Sequence, residues 1–350
     1  MSCNVSKYSS KLIQSMMMKN YVPGLVLIIC IYLIATLLTH YQIGSQLGFS
    51  PLTFAILIGM LVGNTIYPKL APRTDKGVAF AKGQLLRLGI ILYGFRLTFA
   101  QVAGLGLGTI FIDLFMVSST FLLTYWIGYK YLNMEKNTVI LTGAGCSICG
   151  AAAVMATASL IKAKTTETTQ AIAVVVLFGT LAIFLYPWLY TLLFDPKDAV
   201  NFGIVVGSSV HEVAQVVAVG KQISDGTMDL AVVTKMLRVI MLAPFLFILL
   251  YFINRDQTEI SAKNKVTIPW FAVLFLVMIA INSIINIPGQ ATQLITQVDN
   301  ILLTMAMAGL GLTTHFSAFK KAGPKALLLG VIVFIWLIVA SLVAYYLVIA

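Results

Sequence analysis

The chain has 350 residues, of which 59% are hydrophobic and only 10% charged, with a mean hydropathy of +0.96. A soluble domain carries roughly 25% charged residues, so this composition excludes an ordinary water-soluble enzyme or binding module. The net charge of +11 would suggest nucleic acid in a soluble protein. In a membrane protein it reflects Lys and Arg gathering in cytoplasmic loops, and no nucleic-acid partner is expected.

Residues 1–20 form a polar tail with Lys7, Lys11 and Lys19. They lack the apolar core and small-residue cleavage site of a signal peptide, so a cytoplasmic tail is expected. Apolar runs close to the roughly 20 residues that a bilayer requires then predict eleven helices. Their ranges are 21–40, 51–67, 83–99, 105–130, 137–160, 170–193, 201–220, 230–253, 267–286, 292–317 and 326–349. Turn and cap signals separate them: Pro51, Pro68 with Pro72, Gly104, Asp195-Pro196, Asp225-Gly226, Pro269, Pro288-Gly289 and Pro324. With the N-terminus inside, 16 Lys and Arg fall on the cytoplasmic side and 5 on the other. The positive-inside rule therefore predicts a cytoplasmic N-terminus and a periplasmic C-terminus.

Short echoes run through the chain in one order. Phe54 to Gly59 recurs as Phe202 to Gly207, Leu86-Arg87-Leu88 as Leu237-Arg238-Val239, and Val139 to Thr142 as Ile301 to Thr304, with offsets of 148 to 162. They predict a duplicated unit, repeat one over 51–193 and repeat two over 201–349, with 21–40 as an extra helix. Five helices is an odd number, so the second copy would be inverted relative to the first, the usual build of a secondary transporter. The expected fold is all-α: a polytopic membrane protein of about 11 transmembrane helices, an inverted 5+5 repeat with two interrupted helices crossing at the midplane. The whole of 21–350 is expected to form a single membrane transport domain.

The predicted helix 137–160 contains Gly143, Gly145 and Gly150 beside Cys146, Ser147 and Cys149. Each glycine costs a helix roughly 1 kcal/mol against alanine. The cluster reads either as a small-residue packing face or as an unwound centre whose freed backbone groups bind a solute. The repeat offset matches it to Gly309, Gly311, Thr313 and Thr314, which makes 292–317 the expected second interrupted helix. Half-helix N-termini carry partial positive charge, which suits a small anionic solute.

In 201–220, Ser208, His211, Glu212 and Gln215 stand at i, i+3, i+4 and i+7 and predict one polar stripe on an apolar helix. Ionisable residues inside a membrane mark substrate or proton paths, so these four are candidates for proton coupling, Glu212 and His211 foremost. Arg238 could pair with Glu212 or bind the anion, and Asp113 has no obvious partner in sequence. Cys146-Ser-Ile-Cys149 is a weak redox or zinc signal, because no second cysteine pair accompanies it. No nucleotide-binding loop, metal-protease helix or nucleophile elbow occurs, so no enzymatic activity, cofactor or metal is expected.

Several of these segments resemble one family. They are Gly59 to Asn64, Leu86 to Thr98, Gly143 to Ala153, Gly207 to Gln215, and Lys235 to Arg238 leading into Leu242-Ala-Pro244. Together they resemble the sulfate-exporter family of bacterial inner-membrane proteins, from about residue 50 to the end. The family's name rests on inference. Its fold is similar to the superfamily of bile acid/sodium symporters and auxin efflux carriers, which implies two interrupted helices crossing at the site. The resulting expectation is a secondary active transporter, an exporter of sulfate or an organosulfonate, driven by or exchanged against protons. A passive anion channel and a thiol-redox protein using Cys146 and Cys149 are the alternatives. The lipid bilayer is the other expected partner, and a homodimer is compatible.

Overall fold

The computed structural model describes residues 20–41, 50–100, 106–255, 269–285, 287–315 and 322–349. The tail before Asn20 lies outside these residues, as do Lys263, Lys265, Lys320 and Lys321. Every regular element among the described residues is helical. In chain order they begin with α1 (Val22–His40), α2 (Pro51–Thr65), α3 (Tyr67–Phe80), α4 (Leu86–Tyr93) and α5 (Gly106–Tyr125). Next come α6 (Lys136–Ser147), α7 (Ala151–Ile161), α8 (Thr165–Leu193), α9 (Phe202–Ser209) and α10 (Val213–Ile223). The last are α11 (Asp225–Ile240), α12 (Leu242–Arg255), α13 (Trp270–Ile284), α14 (Gly289–Thr313) and α15 (Pro324–Val348).

Among the described residues, seven helical stretches are long and apolar enough to cross a membrane. They are Val22–His40, Tyr67–Arg96, Gly106–Tyr131, Thr165–Leu193, Asp225–Phe252, Gly289–Thr313 and Pro324–Val348. Pro51–Thr65, Ala151–Ile161, Val213–Ile223 and Trp270–Ile284 are shorter apolar helices. Two of these, α7 and α10, are short because a break in the backbone divides them from α6 and α9. The chain is a polytopic, all-helical membrane protein.

The helix expected over 83–99 starts earlier, at Tyr67. Pro68 sits in the first turn, where its missing N–H is not needed, and Pro72 is accommodated within α3. A π turn over Ala81–Leu85 then carries the chain into α4. Pro68 therefore marks the start of a helix directly after α2, and Pro72 lies inside that helix.

The chain groups into two compact units, Met1–Tyr93 with Ile287–His315, and Gly94–Asn286 with Phe316–Ala350. In the first, α14 packs along α2, and small residues let the backbones touch. A Cβ on Gly59 would lie 2.6 Å from the Ala308 carbonyl oxygen, and one on Gly63 at 2.6 Å from that of Leu312. A Cβ on Gly311 would strike the Ile56 carbonyl. The end of α14 is tied down as well, since Asn64 Nδ2 donates to the Thr314 carbonyl at 2.9 Å.

This corrects one expectation. α14 is continuous through Gly309 and Gly311 to Thr313. The two glycines serve close packing, and the Thr313 and Thr314 hydroxyls donate back to carbonyls of their own helix. The second break in the fold lies at 210–212, so it does not coincide with the position given by the repeat offset.

In the second unit, α5 packs on α6, α8 on both α6 and α10, and α11 along both α9 and α10, while α15 covers α5, α8 and α9. The two interrupted segments are thus enclosed by long helices. Replacing Gly311 by Leu forces side-chain volume into a backbone contact and should cost about 1–3 kcal/mol. Thermal unfolding in detergent is expected to show this loss, while Gly83→Ala, where a Cβ meets no atom within 4 Å, does not lower the midpoint and raises it by the helix preference of alanine.

Candidate functional site

Breaking a helix frees carbonyls at the C-terminal end of its first half and amides at the N-terminal end of its second. The break between α6 and α7 occupies Ile148, Cys149 and Gly150, and it is a sharp bend. A Cβ on Gly145 would lie only 2.6 Å from Val154 Cγ2, nine residues onward, whereas a straight helix would separate such positions by about 13 Å at 1.5 Å per residue. The Gly150 N–H donates to the Gly145 carbonyl at 2.9 Å. Gly150 itself adopts φ +72°, a conformation that side chains disfavour.

The break between α9 and α10 occupies Val210, His211 and Glu212. Ser208 thus belongs to one helix, His211 and Glu212 to the linker, and Gln215 to the next helix. The single polar stripe expected from their spacing does not form. The same spacing instead makes a cap: the Glu212 N–H donates to Gln215 Oε1 at 3.0 Å, and the Glu212 carboxylate accepts from the backbone N–H of Gln215.

Three charged side chains satisfy the freed ends. Arg238 on α11 is fully buried, and its guanidinium donates to the carbonyls of Ser147 and Ser208 at once. It therefore bridges the C-terminal ends of α6 and α9. The Cys146 and Gly207 carbonyls lie a little farther away, at 3.5 and 3.4 Å. Lys235, one turn earlier and equally buried, donates Nζ to the Val210 carbonyl at 2.5 Å. At the opposite ends, Glu212 Oε1 accepts from the Ala151 N–H of α7 at 3.3 Å while capping α10. Gly150 makes room for this, because a Cβ there would collide with Glu212 Cγ. Cations hold the two carbonyl ends and an anion holds the two amide ends, each opposite in sign to the helix dipole.

Around this core lie buried polar atoms without a hydrogen-bond partner among the described residues: both Asp113 carboxylate oxygens, His211 Nδ1, Gln215 Nε2, Thr157 Oγ1 and Arg238 Nε. Asp113 on α5 senses the charges of Arg238 and Lys235. The His211 ring lies against Phe334, with centroids 6.1 Å apart. Tyr186 on α8 donates to Ser209 Oγ at 2.7 Å.

The sequence-derived candidates separate as follows. Ser147, Gly150, Glu212, Gln215 and Arg238 meet in one cluster, with Ser147 contributing its backbone carbonyl. Ser208 also contributes its carbonyl, while its hydroxyl turns back to Val205. Cys146 and Cys149 are buried free thiols. Gly143 packs against Phe121 of α5, and Gly309, Gly311, Thr313 and Thr314 belong to the other compact unit. Arg238 does not pair with Glu212; its two terminal nitrogens are committed to carbonyls. Tyr186 was not singled out from sequence; Lys235 was legible as an embedded cation one helical turn from Arg238 but was not read as a site residue.

Two bent, interrupted helices with charge-capped ends, enclosed by long apolar helices, define a class of multi-pass membrane protein built around a buried polar centre. The family model described as Conserved hypothetical protein 698 matches residues 23–330. A UPF0324 membrane protein of Neisseria meningitidis is 50% identical over 324 residues, covering 92% of this chain and 96% of the relative. The UPF0324 membrane protein of Haemophilus influenzae is 51% identical with the same coverage. The UPF0324 inner membrane protein YeiH of Escherichia coli K12 is 50% identical over 92% of this chain and 93% of its own. No solved structure matches the chain. The chain belongs to the UPF0324 family of multi-pass membrane proteins, relatives of which carry inner-membrane names.

Arg238→Lys tests the bridge. One ammonium cannot span both carbonyl ends in the geometry of a guanidinium fork, so a buried carbonyl loses its donor at a cost of about 1–3 kcal/mol. Thermal unfolding should register that loss; an unchanged midpoint would show that the bridge contributes nothing. Gly150→Ala is expected to destabilise the fold by about 1–3 kcal/mol through its backbone conformation alone.

Proposed function

We propose that this protein is a secondary carrier for a small anion, with the α6–α7 and α9–α10 breaks forming its translocation site. The observation that carries this reading is the pair of buried breaks whose four helix ends are matched by Arg238, Lys235 and Glu212. Non-helical backbone at membrane depth is tolerated where it is enclosed by protein or lines a cavity. Embedded ionisable groups such as Asp113, Lys235 and Glu212 favour a solute or proton path over a purely structural role. The reading takes sulfate or an organosulfonate as the solute, Glu212 with His211 as the proton-coupling groups, and assigns the chain no enzymatic step.

Purified protein in liposomes should take up labelled sulfate with saturation, faster under a pH gradient. Glu212→Gln should abolish the dependence on the gradient, and the Cys146→Ser, Cys149→Ser double variant should transport as the parent does. Flux that never saturates would favour a passive channel instead. Gradient dependence that persists in Glu212→Gln would remove that residue from coupling, and loss of transport in the double cysteine variant would revive thiol chemistry.

A further inference from the structure

The amide ends of α7 and α10 are where an incoming anion would find partial positive charge, yet a carboxylate of the chain already sits there. We propose that Glu212 is a tethered competitor of the transported anion: its carboxylate occupies the oxyanion site, and a solute oxyanion binds by taking its place. The idea rests on the carrier reading above and specifies how the site would admit its solute.

The contacts fit an exchangeable occupant. Glu212 is half-buried, whereas His211, Gln215, Lys235 and Arg238 around it are buried. Its bond to the Ala151 amide is 3.3 Å long, at the weak end for a charge-assisted contact, where about 2.7–2.9 Å is usual. The first turn of α7 is Ala151-Ala152-Ala153, which carries no polar side chain of its own, and the Cys149 thiol faces the Ala153 N–H. A second donor is waiting: Gln215 Nε2 is buried at the N-terminus of α10, has no partner among the described residues, and belongs to the same amide group that receives the Glu212 N–H. A carboxylate accepts from α7 and α10 with one flexible tether, whereas a tetrahedral oxyanion offers additional acceptors that could also take the Gln215 hydrogen.

The charged or titratable groups that interact with the carboxylate are Cys149 at the α6–α7 bend and Lys235 on α11; Arg238 and Asp113 lie beside Lys235, and His211 is the neighbour in its own linker. Lys235 and Arg238 are the cations of this cluster, and both are already bonded to carbonyls. Adding a proton to Glu212 removes the charge that holds it at the amides. Uptake of one proton and binding of one anion would then accompany each other, with no net charge left behind for a monovalent solute.

The test uses the full chain in detergent and two probes, acetate as a copy of the displaced carboxylate and sulfate as a tetrahedral oxyanion. Glu212→Ala should be stabilised thermally by both anions in a concentration-dependent way, by the mass action of a ligand that binds the folded state. The parent should respond to neither at alkaline pH and to sulfate at acidic pH. Glu212→Gln, which keeps a cap of the same size, should bind sulfate about tenfold more tightly than the parent at alkaline pH, with no pH dependence. If both variants bind sulfate no better than the parent, or Glu212→Gln keeps the parent's pH dependence, the proposal is wrong. Should the parent move no anion in liposomes while the variants still gain affinity, the carrier reading fails and the occupancy of the site by Glu212 stands.

Discussion

Four free helix ends inside an apolar protein must be satisfied by something, and here three charged side chains do it. An unpartnered buried backbone group costs roughly 1–3 kcal/mol, and each break exposes several. Arg238 and Lys235 stand one turn apart on α11, which runs along both α9 and α10, so a single helix supplies both cations to the carbonyl ends. Glu212 supplies the anion to both amide ends from inside one of the breaks. The remaining architecture follows: α11 must lie against the breaks, Gly150 must lack a side chain, and the long helices α5, α8 and α15 must exclude lipid from the centre.

This arrangement ties charge to conformation. Arg238 holds Ser147 and Ser208 together, so the positions of the two half-helices depend on one guanidinium. Glu212 likewise joins α7 to α10, and any change in its charge or position frees two helix ends together. Two acidic groups, Asp113 and Glu212, and two basic groups, Lys235 and Arg238, are embedded together. A solute or proton arriving there changes the charge of a closely packed cluster, in surroundings where uncompensated charge is expensive. For the proposed carrier, this supplies a physical basis for coupling binding to movement, with its working parts in one compact unit.

The positions of most helices were legible in the sequence because bilayer-length apolar runs are a strong signal, and the α6–α7 break was legible because three glycines cluster there. The α9–α10 break was not, because residues 208–212 contain neither glycine nor proline. A helix cap of the form Glu212-x-x-Gln215 has the same spacing as residues on one helical face, and the local sequence cannot distinguish them. Gly309 and Gly311 misled in the opposite direction. A glycine can weaken a helix or let another helix approach, and only the packing of α2 on α14 shows that the second applies. Arg238 was recognisable as an embedded cation, but the carbonyls it bonds come from residues 30 and 91 positions away, a tertiary fact that no local pattern contains.

The most direct measurement is a density map of the protein in a lipid nanodisc at a resolution that shows side chains. The account predicts helical density interrupted at 148–150 and 210–212, with the Arg238 guanidinium lying between the carbonyls of Ser147 and Ser208. Continuous helical density through either segment, or an Arg238 side chain turned away from both carbonyls, would contradict it.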